Sequence, residues 1–284
     1  MAFEARNERI KGTDIYLFGK DTESGIFTYS RPISSDEGKL ASNGVNGLNV
    51  SENGVLYNMN TLRGIQANRK LMKETSGNVW FPTIKEGLLL HDARLLPSGE
   101  LMDFGLALYD GENPDKFIAG KLMASAKQKG YDFPILASFK SLDLEQGGKR
   151  YGVTPIFVSQ DGLITGEDAK DTLKKFSYVG NSGVHRLIRD RVGDWLAGWG
   201  DYLGDSGEGC RVGRVSAVGS AKNIAELAEN EIRLKYDANN LANNLAIRKD
   251  IASLETKLAD LQNQLTQNAS KREAGFDSTI KLLA

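Results

Sequence analysis

Two histidines, His91 and His185, and one cysteine, Cys210, make a poor inventory for nucleophilic or zinc chemistry. A cysteine nucleophile needs a base within hydrogen-bond reach, which makes Cys210 with His185 the one pair to weigh. The ordinary reading is a small buried thiol beside a strand and a histidine on a strand surface, and it is favoured because unpaired cysteine is among the most buried residue types. Zinc would require three or four ligands at a recognisable spacing, and the sequence has no such set. Asp201, Asp205 and Glu208 could offer oxygens to calcium, but they lack EF-hand spacing and read as a solvated acidic loop. Gly198-Trp199-Gly200 lacks the rest of the dinucleotide fingerprint, and no phosphate-cradling G-x-x-x-x-G-K-[ST] occurs. No cofactor is expected. A hydrolase using Asp194, Asp201 or Asp205 with Arg211 is the third-ranked reading, since carboxylate pairs can do acid–base work.

The aromatic residues carry a stronger signal. Trp195 and Trp199 fall on one face of either a strand or a helix. They can be two core tryptophans, or a contact surface in which aromatics, Arg, Asp and Tyr recognise a ligand from glycine-rich loops. Both readings stay open on sequence alone.

The elements that must hold these residues change character along the chain. All six prolines lie at or before Pro155; ten of the 31 glycines lie between Gly180 and Gly219, and only Gly275 follows. Residues 1–80 read as a β-rich module or docking arm, with strands at 14–18 and 25–31 and turns at Asn43-Gly44, Asn46-Gly47 and Asn53-Gly54. In 81–219, the run 100–109 predicts a buried strand. Asn113-Pro114 then predicts a helix to about 129, stopped by Gly130. Extended runs follow at 133–139 and 152–159, a helix after Thr165, and strands at VHRLIR, DWLAGW and CRVGRVSAV. This is an α+β pattern.

From Ala221 the pattern is that of a coiled coil over 221–270, with a tail at 271–284. Leu234, Ala238, Leu241 and Leu245 are spaced 4-3-4, and Ile251, Leu254, Leu258, Leu261 and Leu265 continue the heptad spacing out of phase with them. Leu241 to Ile251 is one heptad plus three residues, a stammer passing through Asn244 and Ile247. No Gly or Pro breaks the run before Gly275, so self-association, as a parallel oligomer, is expected instead of an internal hairpin.

Charge bounds the partners. With 36 Lys plus Arg against 37 Asp plus Glu, there is no basic block for nucleic acid or an anionic membrane. No stretch has the roughly 20 apolar residues of a membrane helix, and the start lacks a signal-peptide core, so no membrane insertion is expected. The chain reads as soluble and made in the cytoplasm, with room for virion or surface association.

Residues 183–217 resemble the closing half of the C-type-lectin fold. The match runs through an Arg-rich strand, Gly193-Asp194-Trp195, a loop, Asp205-Ser206 and Arg211-Val212, with Cys210 in place of the usual neighbour. It is most similar to the branch shared by formylglycine-generating-enzyme-like domains and the variable proteins of diversity-generating retroelements, some of them phage receptor-binding proteins. The resemblance covers at most residues 100–219. It implies an α+β lectin-like ligand-display domain over 81–219. The cystines and calcium motifs of animal lectins are absent, as is the cysteine pair of the oxidase, so a non-enzymatic binding domain is implied. The displayed ligand-binding positions it implies are Arg189, Arg191, Asp194, Trp199, Asp201, Tyr202 and Ser206. The expected function is binding of a protein or cell-surface ligand by lectin-like loops, hypervariable in that family, multimerised by the coil. A structural phage virion or assembly component is the alternative.

Overall fold

Alternating apolar and polar side chains over residues 14–31 require paired strands with one covered face. They form an antiparallel meander of β1 (Phe3–Arg9), β2 (Tyr16–Asp21) and β3 (Phe27–Pro32), with Tyr16 opposite Ser30 and Lys20 opposite Phe27. β1 is exposed throughout and carries Glu4, Arg6 and Glu8, charges that discourage further pairing at an edge. The computed structural model describes residues 3–96, 102–111, 116–147, 152–177, 179–180, 182–190, 195–199, 203 and 214–283.

Two helices stand where the turn dipeptides predict only hairpins. α1 (Ser35–Ser42) starts at a capping box in which Ser34 and Glu37 satisfy each other's backbone N–H groups. β4 (Asn49–Val50) and β5 (Leu56–Tyr57) form a small hairpin. α2 (Thr61–Glu74) is capped by the Asn60 side chain, which accepts from the Arg63 N–H at 2.8 Å, and it buries Leu62, Ile65 and Leu71. Its glycine, Gly64, lets the helix approach a ring closely, since a Cβ there would sit 2.6 Å from Phe139.

After β6 (Val79–Trp80), α3 (Ile84–Asp92) opens with a second capping box, Thr83 and Glu86. β7 (Met102–Leu108) is buried at all seven positions, as its continuous apolar run predicts. α4 (Lys116–Gln128) follows, and Gly130 beyond it takes φ +70° as a left-handed stop. Then come β8 (Ile135–Ala137), a 3-10 turn (Phe139–Ser141), β9 (Leu142–Gln146), β10 (Val153–Phe157), β11 (Leu163–Thr165) and α5 (Gly166–Leu173). β12 (Val184–Arg189), β13 (Leu196–Trp199) and β14 (Arg214–Gly219) complete the strands, and α6 (Ala221–Leu283) ends the chain.

The main sheets are antiparallel five-stranded layers, ordered β1-β2-β3-β14-β6 and β11-β8-β7-β12-β13. The architecture is α+β. β14 pairs along the whole of β3, from Arg214 opposite Pro32 to Gly219 opposite Phe27. Residues on both sides of position 80 therefore share one sheet, and Met1–Ala225 forms one compact unit. The core packs Ile84 and Leu88 of α3 with Phe104 and Ala107 of β7, Leu136, Ile164, Phe176, Leu187 and Leu196. Gly87 serves this packing, because a Cβ there would lie 2.5 Å from the Phe104 ring.

The second unit, Glu226–Ala284, is helical. It shows Leu234, Leu241, Leu245, Ile251, Leu254, Leu258 and Leu261 to solvent, each 50–66% exposed. Among the described residues, no helix is long and apolar enough to cross a membrane.

Candidate functional site

β12 is placed by an interior polar network. Arg186 Nε and Nη2 donate to Asp103 Oδ2 of β7 at 3.1 and 3.0 Å, and the Thr61 hydroxyl donates to the same oxygen at 2.9 Å. The Gly105 N–H donates to the other carboxylate oxygen at 3.0 Å. The Arg186 and Asp103 side chains are 4% and 0% exposed, so each charge depends on the other to stay buried. Gly105 has φ +131°, and a Cβ there would collide with the Ala137 carbonyl. The β7–β12 register slips by one residue between Leu187 and Ile188, beside this glycine.

β12 turns into β13 as a hairpin closed by the Asp190 N–H donating to the Trp195 carbonyl at 2.8 Å. The far side of β13 is not an open edge. The Ser177 N–H donates to the Leu196 carbonyl and the Gly198 N–H to the Ser177 carbonyl, both at 2.8 Å. Leu196 and Ala197 are buried, but Trp195 is 45% exposed. Trp80, by contrast, is 4% exposed, with Lys140 Nζ 3.6 Å above its ring and its Nε1 donating to Glu86 at 3.2 Å.

The displayed positions implied by the resemblance divide sharply. Arg189 is 3% exposed: it ends β12 inside the sheet and offers no displayed side chain, which corrects its expected place at a binding surface. The reason is register, since Arg189 lies opposite Met102 on one side and Leu196 on the other. Trp199 is the last residue of β13, opposite Arg186. Arg191, Asp194, Asp201, Tyr202 and Ser206 lie outside the described residues, as do Asp205, Glu208, Cys210 and Arg211. Trp195, left out of that displayed set, is an exposed aromatic. Alternation could not single it out, because Ala197 on the same parity is buried; its exposure comes from its position at the strand's entry.

His185 is engaged inside the unit. Its Nε2 lies 2.8 Å from the Ser182 carbonyl, and its ring meets Tyr109 edge-on at 5.8 Å. Burial pushes the Tyr109 hydroxyl pKa up from its ordinary value.

Polar groups also converge at the start of α3, around an open cavity of about 250 Å³ lined by Thr83, Glu86, Ser138, Lys140, Gln160 and Asp161. Its groups bond to one another. Lys140 pairs with Asp161 at 2.7 Å, the Ser138 hydroxyl donates to the Gly162 carbonyl at 2.7 Å, and Glu86 accepts from the Thr83 N–H at 2.8 Å and the Ser216 hydroxyl at 3.0 Å. This wiring ties α3 to the two sheets. Among the described residues no group of three or more His, Cys, Asp or Glu could hold a metal. Comparison with known proteins gives no family model, no curated protein and no solved structure that matches the chain.

Proposed function

We propose that this chain is a non-enzymatic binding protein. The Trp195 end of the β12–β13 hairpin contacts a protein or cell-surface ligand, and α6 multimerises the chain. The observation that carries the reading is Trp195: a large aromatic 45% exposed on a hairpin whose neighbouring strand positions are buried. Such a side chain supplies wide contact area at low entropy cost. The resemblance of residues 183–217 supports a lectin-like display domain of the retroelement-diversified kind, built on β7, α4, α5, β12 and β13, while β14 joins the sheet of β3. The leucine face of α6 supports multimerisation, through which weak contacts add by effective concentration.

The test is retention of solubilised bacterial envelope components on the immobilised full chain, compared with its Trp195→Ala variant. One or more species held by the parent and lost from an equally stable variant is the expected result. Identical retention by both would sink the reading. A second check lies in the coding DNA, where a nearby imperfect copy of the segment for residues 183–217, differing mainly at adenines, is expected. The alternative, a structural virion or assembly component, draws on the same leucine face and would leave Trp195 replaceable without loss of assembly.

A further inference from the structure

The seam of α6 has a symmetry that names its partner. Residues 234, 238, 241, 245, 248, 251, 254, 258, 261 and 265 are spaced 4-3-4-3-3-3-4-3-4, the same in both directions, about a centre between Lys249 and Asp250. All but Arg248 are Leu, Ile or Ala. Two helices can match all these layers only if their phase breaks meet at the same height. Two arrangements do that: parallel in register, and antiparallel about the centre.

The side chains decide between them. Parallel pairing stacks Ala238 on its own copy, leaving a small–small layer, and sets Leu261 against itself. It also places Arg248 against Arg248 and Glu255 against Glu255, like charges close to the seam. Antiparallel pairing puts Ala238 opposite the partner copy's Leu261, small against large, and Arg248 opposite the partner copy's Ile251. It brings Arg248 within four residues of the partner copy's Glu255, about 6 Å along the axis and within an arginine's reach. Leu241, Leu258, Leu245 and Leu254, all exposed in the single chain, then cover one another in Leu241–Leu258 and Leu245–Leu254 layers. We infer that α6 pairs antiparallel with a second copy of this chain, its two-fold axis between residues 249 and 250. The parallel order expected from heptads alone ignores these two layers. This inference rests on the multimerisation part of the proposed function.

Two experiments on the full chain test it. In a Cys210→Ser background, Ala238→Cys and Leu261→Cys chains are oxidised separately and mixed. Antiparallel pairing yields a covalent dimer only in the mixture, whereas dimers from each chain alone overturn the inference. Arg248→Glu should weaken association at least tenfold, measured by sedimentation, and Arg248→Glu with Glu255→Arg should restore it. Equal association of single and double variants also overturns it. A monomeric parent in light scattering defeats both this inference and the multimerisation reading; a parent dimer that crosslinks in parallel defeats the inference alone.

Discussion

The body from Met1 to Ala225 and the helix beyond it treat apolar side chains in opposite ways. The body buries whole strands, such as β7, while the helix holds eight large aliphatic residues at least half exposed among those described. Both obey the same hydrophobic drive, worth about 1.5–3 kcal/mol for each large side chain removed from water. In the body the chain supplies its own cover, through strands as distant as β3 and β14. In the helix a heptad-spaced seam with one stammer stays exposed in the single chain. The two units thus differ in whether apolar spacing is answered within the chain.

The sharpest way to break that contrast is to charge the seam. Leu254→Asp with Leu258→Asp should turn an oligomer into a monomer in light scattering, a loss of at least about 4 kcal/mol of association. The melting transition of the body should not move. A body that unfolds with the helix would show that the two units are not independent in this respect.

Charges hidden in the body give the next largest effect. Asp103→Ala removes the carboxylate to which Arg186 Nε and Nη2 donate and should cost about 3–5 kcal/mol in denaturant unfolding. Asp103→Leu with Arg186→Met should cost less than Asp103→Ala, because no charge remains buried without its partner. The mass of the assembly should stay that of the parent wherever the chain folds. At the body's surface, Trp195→Ala should reduce ligand affinity by about 2 kcal/mol, roughly thirtyfold, with stability changed by less than about 0.5 kcal/mol. A Trp195→Ala chain that loses several kcal/mol of stability would place Trp195 in the body's packing.

Much of this was legible from local pattern. The buried strand β7, the helices α4 and α5, the strands β12 and β13 and the long α6 all fall where periodicity and caps predict them. The pairing of β14 with β3 was not legible, because strand partners nearly two hundred residues apart leave no mark in either strand's own alternation. α1 and α2 were hidden among turn dipeptides, although Ser34, Glu37 and Asn60 were readable as caps. The site was less legible than the fold. Arg186 and Arg189 look alike in an Arg-rich strand, and only tertiary packing, Arg186 on the Asp103 carboxylate and Arg189 between Met102 and Leu196, shows that both are buried. Trp195 carried the right residue type, but its exposure depends on where β13 begins.

The smallest expected effect probes how the body fastens the start of α1. Burial disfavours the Glu37 carboxylate, but the Arg31 guanidinium and the Ser34 N–H outweigh it and hold its pKa below the usual 4.5. Arg31 Nη1 donates to Glu37 at 2.7 Å and the Ser34 N–H at 2.9 Å. Because the folded value is depressed, this stability is complete above the unfolded pKa and is lost as pH falls through the folded one. Glu37→Gln should therefore cost about 1 kcal/mol at pH 7, and the gap from the parent should close steadily below pH 4.5. Unfolding curves from pH 7 to pH 3 measure it. A gap that persists unchanged at pH 3 would show that the carboxylate's shape, and not its charge, secures α1.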